Sequence, residues 1–150
     1  MSGGRLSLPV TAGGEIIAHL HACFPEEGCG LIIGRPLDAG WVVTEVVTSA
    51  NVAENRDRTF EIDPGLRLRT QRQARARGDV ILGHFHSHPF GEPVPSETDR
   101  KRAADEPSLI WLVIGMRWGG TQGFAAWRAE PGSGDMQRVM IDVTEGEAQR

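Results

Sequence analysis

The amino-acid sequence predicts an α/β fold, a single domain in which a mixed β-sheet is flanked by about three helices. Three observations support this prediction. Apolar residues near the N-terminus recur with helical spacing, short runs rich in β-branched residues follow at intervals, and segments of the two kinds alternate. The 150 residues, 39% of them hydrophobic, suffice for one domain with a substantial core. We therefore expect residues 1–150 to form one domain, with its core at about 13–143.

The first half of the chain contains one predicted helix and three predicted strands. Residues 13–24 carry apolar side chains on one side at a period of 3.6, and Pro25 ends this helix. An apolar run between glycines at 30–34 indicates a buried strand, and the β-branched segment 41–48 predicts its neighbour. Alternation of apolar and polar residues at 60–62 predicts a short third strand.

Two more helices are predicted, with a strand between them. Asp63 and Pro64 begin a helix that runs to residue 77, and Gly78 follows its end in the position that favours glycine. Residues 79–85 form the next predicted strand. The last helix is predicted at 96–105 and stops before Pro107.

Three strands complete the predicted sheet. The nearly continuous apolar segment 108–115 is typical of a central strand that is buried on both faces. Segments 123–128 and 136–143 predict two further strands, which the turn-rich sequence at 131–135 separates.

The composition argues against several classes of protein. A formal charge of −4 removes the basic surface that nucleic-acid binding usually needs. No apolar run approaches the ~20 residues that cross a bilayer, and residues 1–10 lack the apolar segment of a secretory signal. The two cysteines, Cys23 and Cys29, form no disulfide framework. We therefore expect a cytoplasmic protein without a nucleic-acid or membrane partner.

The most informative segment places two histidines beside a helix start. His86 and His88 are two residues apart at the end of a predicted strand, so their rings project from the same face. Asp99 lies in the first turn of the next predicted helix and offers a carboxylate oxygen. Two histidines and one carboxylate, with one position left open, form the ligand set of a catalytic zinc site.

Hydrolysis of an amide at such a site also requires a general base that passes a proton to the leaving nitrogen. Glu26 and Glu27 both lie just before a buried strand, and their positions alone do not separate them. His84 shares the strand face of the other two histidines and stays open as a fourth ligand. Ser96 and Asp99 also fit an N-terminal capping pattern, and Cys29 is most simply a small buried residue.

The combined spacing resembles the motif of the JAMM/MPN+ zinc metallopeptidases. That motif joins an upstream glutamate to His86-x-His88, seven further residues, Ser96, two residues and Asp99. Residues 25–34 look like the P-E-E-x-C-G-L-L-x-G opening of the short prokaryotic branch. Residues 60–64 resemble its F-x-I-D-P element, and the likeness spans about residues 13–143.

This resemblance implies a role for each matching residue. His86, His88 and Asp99 would bind one zinc ion per chain, and Glu27 would be the general acid and base. Ser96 would donate a hydrogen bond to the developing oxyanion, a type of contact worth a few kcal/mol in comparable sites. The implied fold is the JAB/MPN fold, a mixed sheet flanked by helices that is similar to the cytidine deaminases.

The resemblance also implies a substrate. Family members hydrolyse peptide or isopeptide bonds after the C-terminal Gly-Gly of ubiquitin-like proteins, and the short prokaryotic members are associated with sulfur-carrier proteins. We expect such a tail to lie beside a strand edge as an added strand. Two alternatives remain: a non-catalytic MPN-type interaction scaffold, or a zinc peptidase for another substrate such as a phage-tail or cell-wall peptide. An exposed sheet edge would allow a homodimer, and the segment 90–95 is either a lid or a rigid loop.

Overall fold

The computed structural model describes residues 4–145, which contain seven strands and three helices. In chain order these elements are β1 (Arg5–Pro9), α1 (Val10–Cys23), β2 (Cys29–Leu37), β3 (Gly40–Ser49), α2 (Pro64–Ala76), β4 (Val80–Pro89), α3 (Glu97–Asp105), β5 (Ile110–Arg117), β6 (Gly120–Ala129) and β7 (Met136–Thr144). The three helices confirm the prediction. The terminal residues of the predicted 1–150 domain, 1–3 and 146–150, lie outside the described residues, and the single domain stays a prediction.

The strands form a mixed sheet that closes into a barrel in the order β1-β3-β2-β4-β5-β6-β7. β1 pairs in parallel with β3 and β7, β4 pairs in parallel with β5, and the other pairs are antiparallel. The predicted mixed pairing is therefore confirmed, and the closure of the sheet into a barrel was not predicted. β1 was missed because five residues with one proline give too short a pattern, yet this strand closes the barrel. The likeness to cytidine deaminases stays a prediction.

Closure removes the basis of two expectations. Every strand of the described sheet has a neighbour on both sides, so none is an edge strand. The expected addition of a substrate tail or a second copy at a sheet edge therefore lacks its structural support. The homodimer itself stays a prediction.

Several predicted boundaries moved. β4 runs to Pro89 and so includes both site histidines, and α1 begins three residues earlier, at Val10. The predicted strand at 60–62 is wrong, since this segment contributes only an isolated bridge between Asn51 and Ile62. Side-chain hydrogen bonds take the place of a strand ladder there: Glu61 N–H donates to Asn51 Oδ1 over 3.0 Å.

The two faces of β4 serve different purposes. Phe85 lies in the main core, which α1 covers with Ile16 and Leu20. His84, His86 and His88 alternate with Phe85 and therefore face the opposite side. Gly30 permits this packing, because a Cβ at that position would lie 2.3 Å from Cζ of Phe85. In the part of the chain that the structure describes, no helix is long and apolar enough to cross a membrane.

Candidate metal centre

Three potential ligand atoms converge at the end of β4. The two Nε2 atoms of His86 and His88 lie 3.1 Å apart, and Asp99 Oδ2 lies 3.2 Å from the first and 3.1 Å from the second. The strand alternation places both rings on one face, and the start of α3 brings the carboxylate to them. The structure thus brings together the three residues that the sequence spacing selected as ligands, in a group that could hold a metal ion.

The distances among these three ligand atoms, which form a triangle, fit a zinc ion. Ligand atoms about 2.0–2.1 Å from a tetrahedral zinc ion are about 3.3 Å from one another, close to the observed separations. The ring orientation fits as well: His88 Nδ1 lies 3.0 Å from the carbonyl oxygen of Glu92, which only accepts hydrogen bonds. Nδ1 of His88 therefore carries the proton, and in the neutral ring Nε2 presents its lone pair to the centre.

The protonation states of His86 and Asp99 suit metal binding. Burial lowers the pKa of His86, and the nearby Asp99 carboxylate offsets this only in part. Burial acts to raise the pKa of Asp99, but hydrogen bonds with His86 and His88 outweigh it and hold that pKa well below its usual range. A neutral imidazole and an ionised carboxylate are the forms that bind cations.

Asp99 is fixed by a capping box at the start of α3. Ser96 N–H donates to Asp99 Oδ2 over 2.9 Å, and Asp99 N–H donates to Ser96 Oγ over 3.0 Å. The predicted helix cap at Ser96 is therefore confirmed. Ser96 is an exposed residue, and its hydroxyl, which accepts a bond from the backbone, can still donate its own proton.

The pairing of β2 with β4 distinguishes Glu27 from Glu26. Cys29 pairs with His86, and beyond this pair Ser87 N–H donates to Gly28 O over 3.1 Å. Continuing this antiparallel register by one more residue sets Glu27 opposite His88, on the same face. Glu27 is buried, whereas the half-exposed carboxylate of Glu26 points to Arg56 at 3.3 Å. Only Glu27 is therefore placed beside the ligands.

The environment of Glu27 changes its acidity. Burial raises the pKa of this carboxyl from its ordinary value near 4.5 to about 7. His88 and Arg102 act to lower this pKa, and Asp99 and Asp57 act to raise it further. A carboxyl that titrates near neutral pH can both accept and return a proton.

Asn51 holds the backbone around Glu27. Its Nδ2 donates to the carbonyl oxygens of Glu27 and Thr59, each over 2.9 Å. Its Oδ1 accepts from the N–H groups of Ala53 and Glu61, each over 3.0 Å. One side chain thereby ties the Glu27 segment to the loop that ends at Phe60.

Phe60 and Arg102 are site residues that the sequence reasoning missed. The Phe60 ring stacks on the His86 ring with centroids 4.2 Å apart, and its other neighbours include the Arg102 guanidinium, 4.4 Å from the ring centroid. Arg102 Nη1 also donates to Phe60 O over 2.8 Å. The only signal for Phe60 was its place in the F-x-I-D-P element, and nothing in the sequence marked Arg102.

Two alternatives from the sequence are decided by packing. His84 lies outside the group of three ligand atoms; it is buried against Trp111, with ring centroids 4.3 Å apart, and burial lowers its pKa to about 3. Cys29 is fully buried, and burial raises the pKa of its thiol to about 12. His84 is therefore a neutral packing residue, and Cys29 is the small buried residue that was expected.

The loop between the ligands is attached to β6 at two points. Gln122 Nε2 donates to Gly91 O over 2.9 Å, and Trp127 Nε1 donates to Pro93 O over 3.1 Å. Within the loop, Gly91 N–H donates to His88 O over 3.1 Å. These bonds favour the rigid form of the loop over the lid.

Comparison with known families assigns the chain. Residues 10–130 match the family described as prokaryotic homologs of the JAB domain. The chain belongs to this family. The resemblance that the motif indicated is thereby confirmed.

Relatives of this JAB protein have names that specify cleavage. It is 35% identical over 117 residues to the desampylase of Haloferax volcanii, covering 75% of this chain and 82% of that one. It is 33% identical over 104 residues to a probable TtuB-protein conjugate cleaving protease of Thermus thermophilus, covering 69% and 67%. The solution structure of a Desulfitobacterium hafniense protein superimposes with a TM-score of 0.82 at 28% identity, covering 95% of this chain and 94% of that one.

Proposed function

We propose that this JAB protein is a zinc-dependent peptidase that hydrolyses the bond after the C-terminal Gly-Gly of a ubiquitin-like or sulfur-carrier protein. The observation that carries the proposal is the position of Glu27 just before β2: continuing the β2–β4 register sets it opposite His88, and its carboxyl interacts electrostatically with His88 and Asp99. This arrangement combines a cation site with a buried base, which is the minimum for metal-assisted amide hydrolysis.

The chain would hold one zinc ion through Nε2 of His86, Nε2 of His88 and Oδ2 of Asp99. Bound zinc supplies Lewis-acid activation of a water molecule and of the scissile carbonyl group. The protein residues orient this centre: the Glu92 carbonyl fixes the His88 ring, Phe60 covers the His86 ring, and the capping box fixes Asp99. Three protein ligands would leave one coordination position of a tetrahedral zinc ion for water or substrate.

Glu27 would move the proton. Its carboxylate accepts a proton from the attacking water and returns it to the leaving nitrogen, so that the amide bond breaks as an amine departs. The buried position favours this role, because a carboxyl with its pKa raised to about 7 is both a usable base and a usable acid near neutral pH.

Ser96 would stabilise the charge that develops on the carbonyl oxygen. Its Oγ already accepts the Asp99 N–H, which holds the hydroxyl in place while its own proton stays free to donate. A donor that is positioned before the reaction costs little reorganisation when the oxyanion forms.

The relatives support the substrate class. A desampylase and a TtuB-protein conjugate cleaving protease are both named for removing a protein from a conjugate. We extend this activity to the present chain, with a Gly-Gly tail on the carrier side of the scissile bond.

The test uses fusions of each Gly-Gly-ending ubiquitin-like protein of the source organism to a short C-terminal extension. Zinc-loaded protein should release the extension directly after Gly-Gly, as read by mass spectrometry, and a chelator should abolish cleavage. Glu27→Gln is the inactive control, and Glu26→Gln is the matched variant that should stay active. One bound zinc per chain with no cleavage of any fusion would instead favour another peptide substrate, and absence of zinc would favour the scaffold.

A further inference from the structure

A small cavity lies beside Phe60, the residue whose ring stacks on the candidate ligand His86. Its volume is about 220 Å³, below the about 300–1,000 Å³ that is usual for sites of drug-sized ligands. The three candidate metal ligands and Glu27 are not among the residues that line it. This cavity, which we call the Phe60 cavity, is therefore separate from the candidate metal centre but shares a residue with its surroundings.

Two buried polar groups in the wall of the Phe60 cavity lack partners. Trp111 is 2% exposed and His84 is 6% exposed, and both side chains line the cavity. In the part of the chain that the structure describes, Nε1 of Trp111 and Nδ1 of His84 have no hydrogen-bond partner. Buried polar groups of folded proteins are nearly always paired. These two atoms therefore indicate that a molecule with polar atoms binds in the cavity.

Arg102 gives the same cavity a positive charge. Its guanidinium lies 4.4 Å from the Phe60 ring centroid, and its Nη1 donates to Phe60 O over 2.8 Å. Within residues 4–145 it has no other hydrogen-bond acceptor and no ion-pair partner. A guanidinium carries five N–H donors in a planar fork, which matches the two oxygens of a carboxylate. Since the side chain is half-buried, an anion in the cavity would compensate its charge.

The other charged groups of the cavity limit the charge of its ligand. Nη2 of Arg67 pairs with Oε2 of Glu106 over 2.8 Å, so these two wall residues neutralise each other. The exposed Glu61 also lines the cavity and opposes the charge of Arg102. The two glutamates would repel a doubly charged anion, whereas a single carboxylate can be bound by Arg102. Ile62 provides apolar wall for the remainder of an organic ligand.

We propose that the Phe60 cavity is a binding site for a small organic molecule with one carboxylate group. Arg102 would bind the carboxylate, the indole N–H of Trp111 would provide a further donor, and the apolar wall would contact the rest of the ligand. This site does not depend on the function proposed above. A ligand bound there would contact Phe60, and Phe60 covers the ring of His86.

The test is a titration of the zinc-loaded protein with propionate, followed by ¹H–¹⁵N NMR of the assigned tryptophan indole N–H groups. The Trp111 signal should move saturably, with a Kd of about 10 mM or below for so small a ligand. Propionamide has the same shape without the charge, and sulfate has two charges; each should bind at least about tenfold more weakly. Arg102→Gln should weaken propionate binding about tenfold or more. Arg72→Gln, at an exposed position of α2, is the matched control and should bind as wild type.

The wild-type protein and one further variant keep the test decisive even if Arg102→Gln does not fold. No saturable shift of the Trp111 signal, or equal binding of propionate and propionamide, would overturn the inference. His88→Ala should retain propionate binding; loss of binding there would place the carboxylate on the zinc ion and also overturn it. Tighter binding of sulfate than of propionate would make the cavity a site for inorganic anions. None of these measurements involves cleavage, so failure of the proposed peptidase activity would be recognised separately.

Discussion

The backbone N–H of Gly28 donates a hydrogen bond to Oγ of Ser87 over 2.8 Å. This bond joins the residue after Glu27 to the residue between His86 and His88, so it fixes the segment that carries Glu27 against the strand that carries the two histidines. Ser87 is buried and its hydroxyl accepts the Gly28 N–H, so we expect it to position the segment that carries Glu27.

Ser87→Ala should therefore keep the metal but weaken both the fold and the activity. The substitution leaves the Gly28 N–H buried without an acceptor, which costs about 1–3 kcal/mol in the free energy of unfolding. We expect kcat to fall about tenfold with one zinc per chain retained, as chemical denaturation, metal analysis and steady-state kinetics would measure. Ser133→Ala, in the β6–β7 turn, is the control; if both variants behave alike, the Gly28–Ser87 bond does not position Glu27.

Glu27→Gln should abolish proton transfer without disturbing the ligands. The amide occupies nearly the same volume but does not accept and return a proton, so kcat should fall about 10³-fold. Glu26→Gln should retain full activity, because Glu26 lies at the surface beside Arg56. Zinc content from plasma emission spectrometry should equal that of the wild-type protein in both variants. An active Glu27→Gln enzyme would contradict the assignment of the base.

His88→Ala should lose the metal. It removes one of three ligand atoms that lie 3.1–3.2 Å apart and leaves two protein ligands. Added zinc should raise the melting temperature of the wild-type protein and have little effect on this variant, since only the folded wild-type site binds the ion. His21→Ala, at an exposed position of α1, should behave as wild type. Wild-type zinc content in His88→Ala would exclude the ligand role.

The helix cap formed by Ser96 and the oxyanion contact proposed for it can be separated by one pair of variants. Ser96→Ala removes both the cap of α3 and the hydroxyl donor, so stability should fall by about 1 kcal/mol and kcat by about 10²-fold. Ser96→Asn retains a capping oxygen but places an amide where the hydroxyl was, so stability should be preserved while kcat stays low. Recovery of kcat in Ser96→Asn would mean that the serine acts only by holding Asp99.

The sequence predicted those parts of the site that depend on local spacing. An i, i+2 pair on a strand and an N-terminal cap on a helix are properties of neighbouring residues, so the amino-acid sequence alone was enough to select His86, His88 and Asp99. The choice of Glu27 over Glu26 came only from the family resemblance, because strand register is set by the partner strand. The pairing of Cys29 with His86 now gives that choice a structural reason.

Features that depend on distant residues were not predictable. Barrel closure requires Arg5 to pair with Met140, and the stacking of Phe60 on His86 requires a loop that Asn51 shapes by side-chain bonds. Residues 60–62 alternate between apolar and polar side chains as a strand does. However, their hydrogen-bond partner is the side chain of Asn51 and not the backbone of a neighbouring strand. Such contacts follow from the whole fold and leave no periodic pattern in the sequence.

The raised pKa of Glu27 makes a prediction for the metal-free protein. In the folded state this carboxyl titrates near 7, and in the unfolded chain near 4.5. Below pH 4.5 both states hold the proton, and the full stability is present. Between 4.5 and 7 the unfolded chain releases the proton first, so stability falls as pH rises, by about 3 kcal/mol in total.

Glu27→Gln removes this titration and shares every other group with the wild-type protein. The metal-free variant should therefore gain stability relative to wild type as pH rises from 4.5 to 7, by up to about 3 kcal/mol. Urea denaturation of both proteins in the presence of a chelator, at several pH values across this interval, measures the difference directly. A difference that does not change with pH would show that the folded protein leaves the acidity of Glu27 unaltered, and burial would then no longer explain its use as both base and acid.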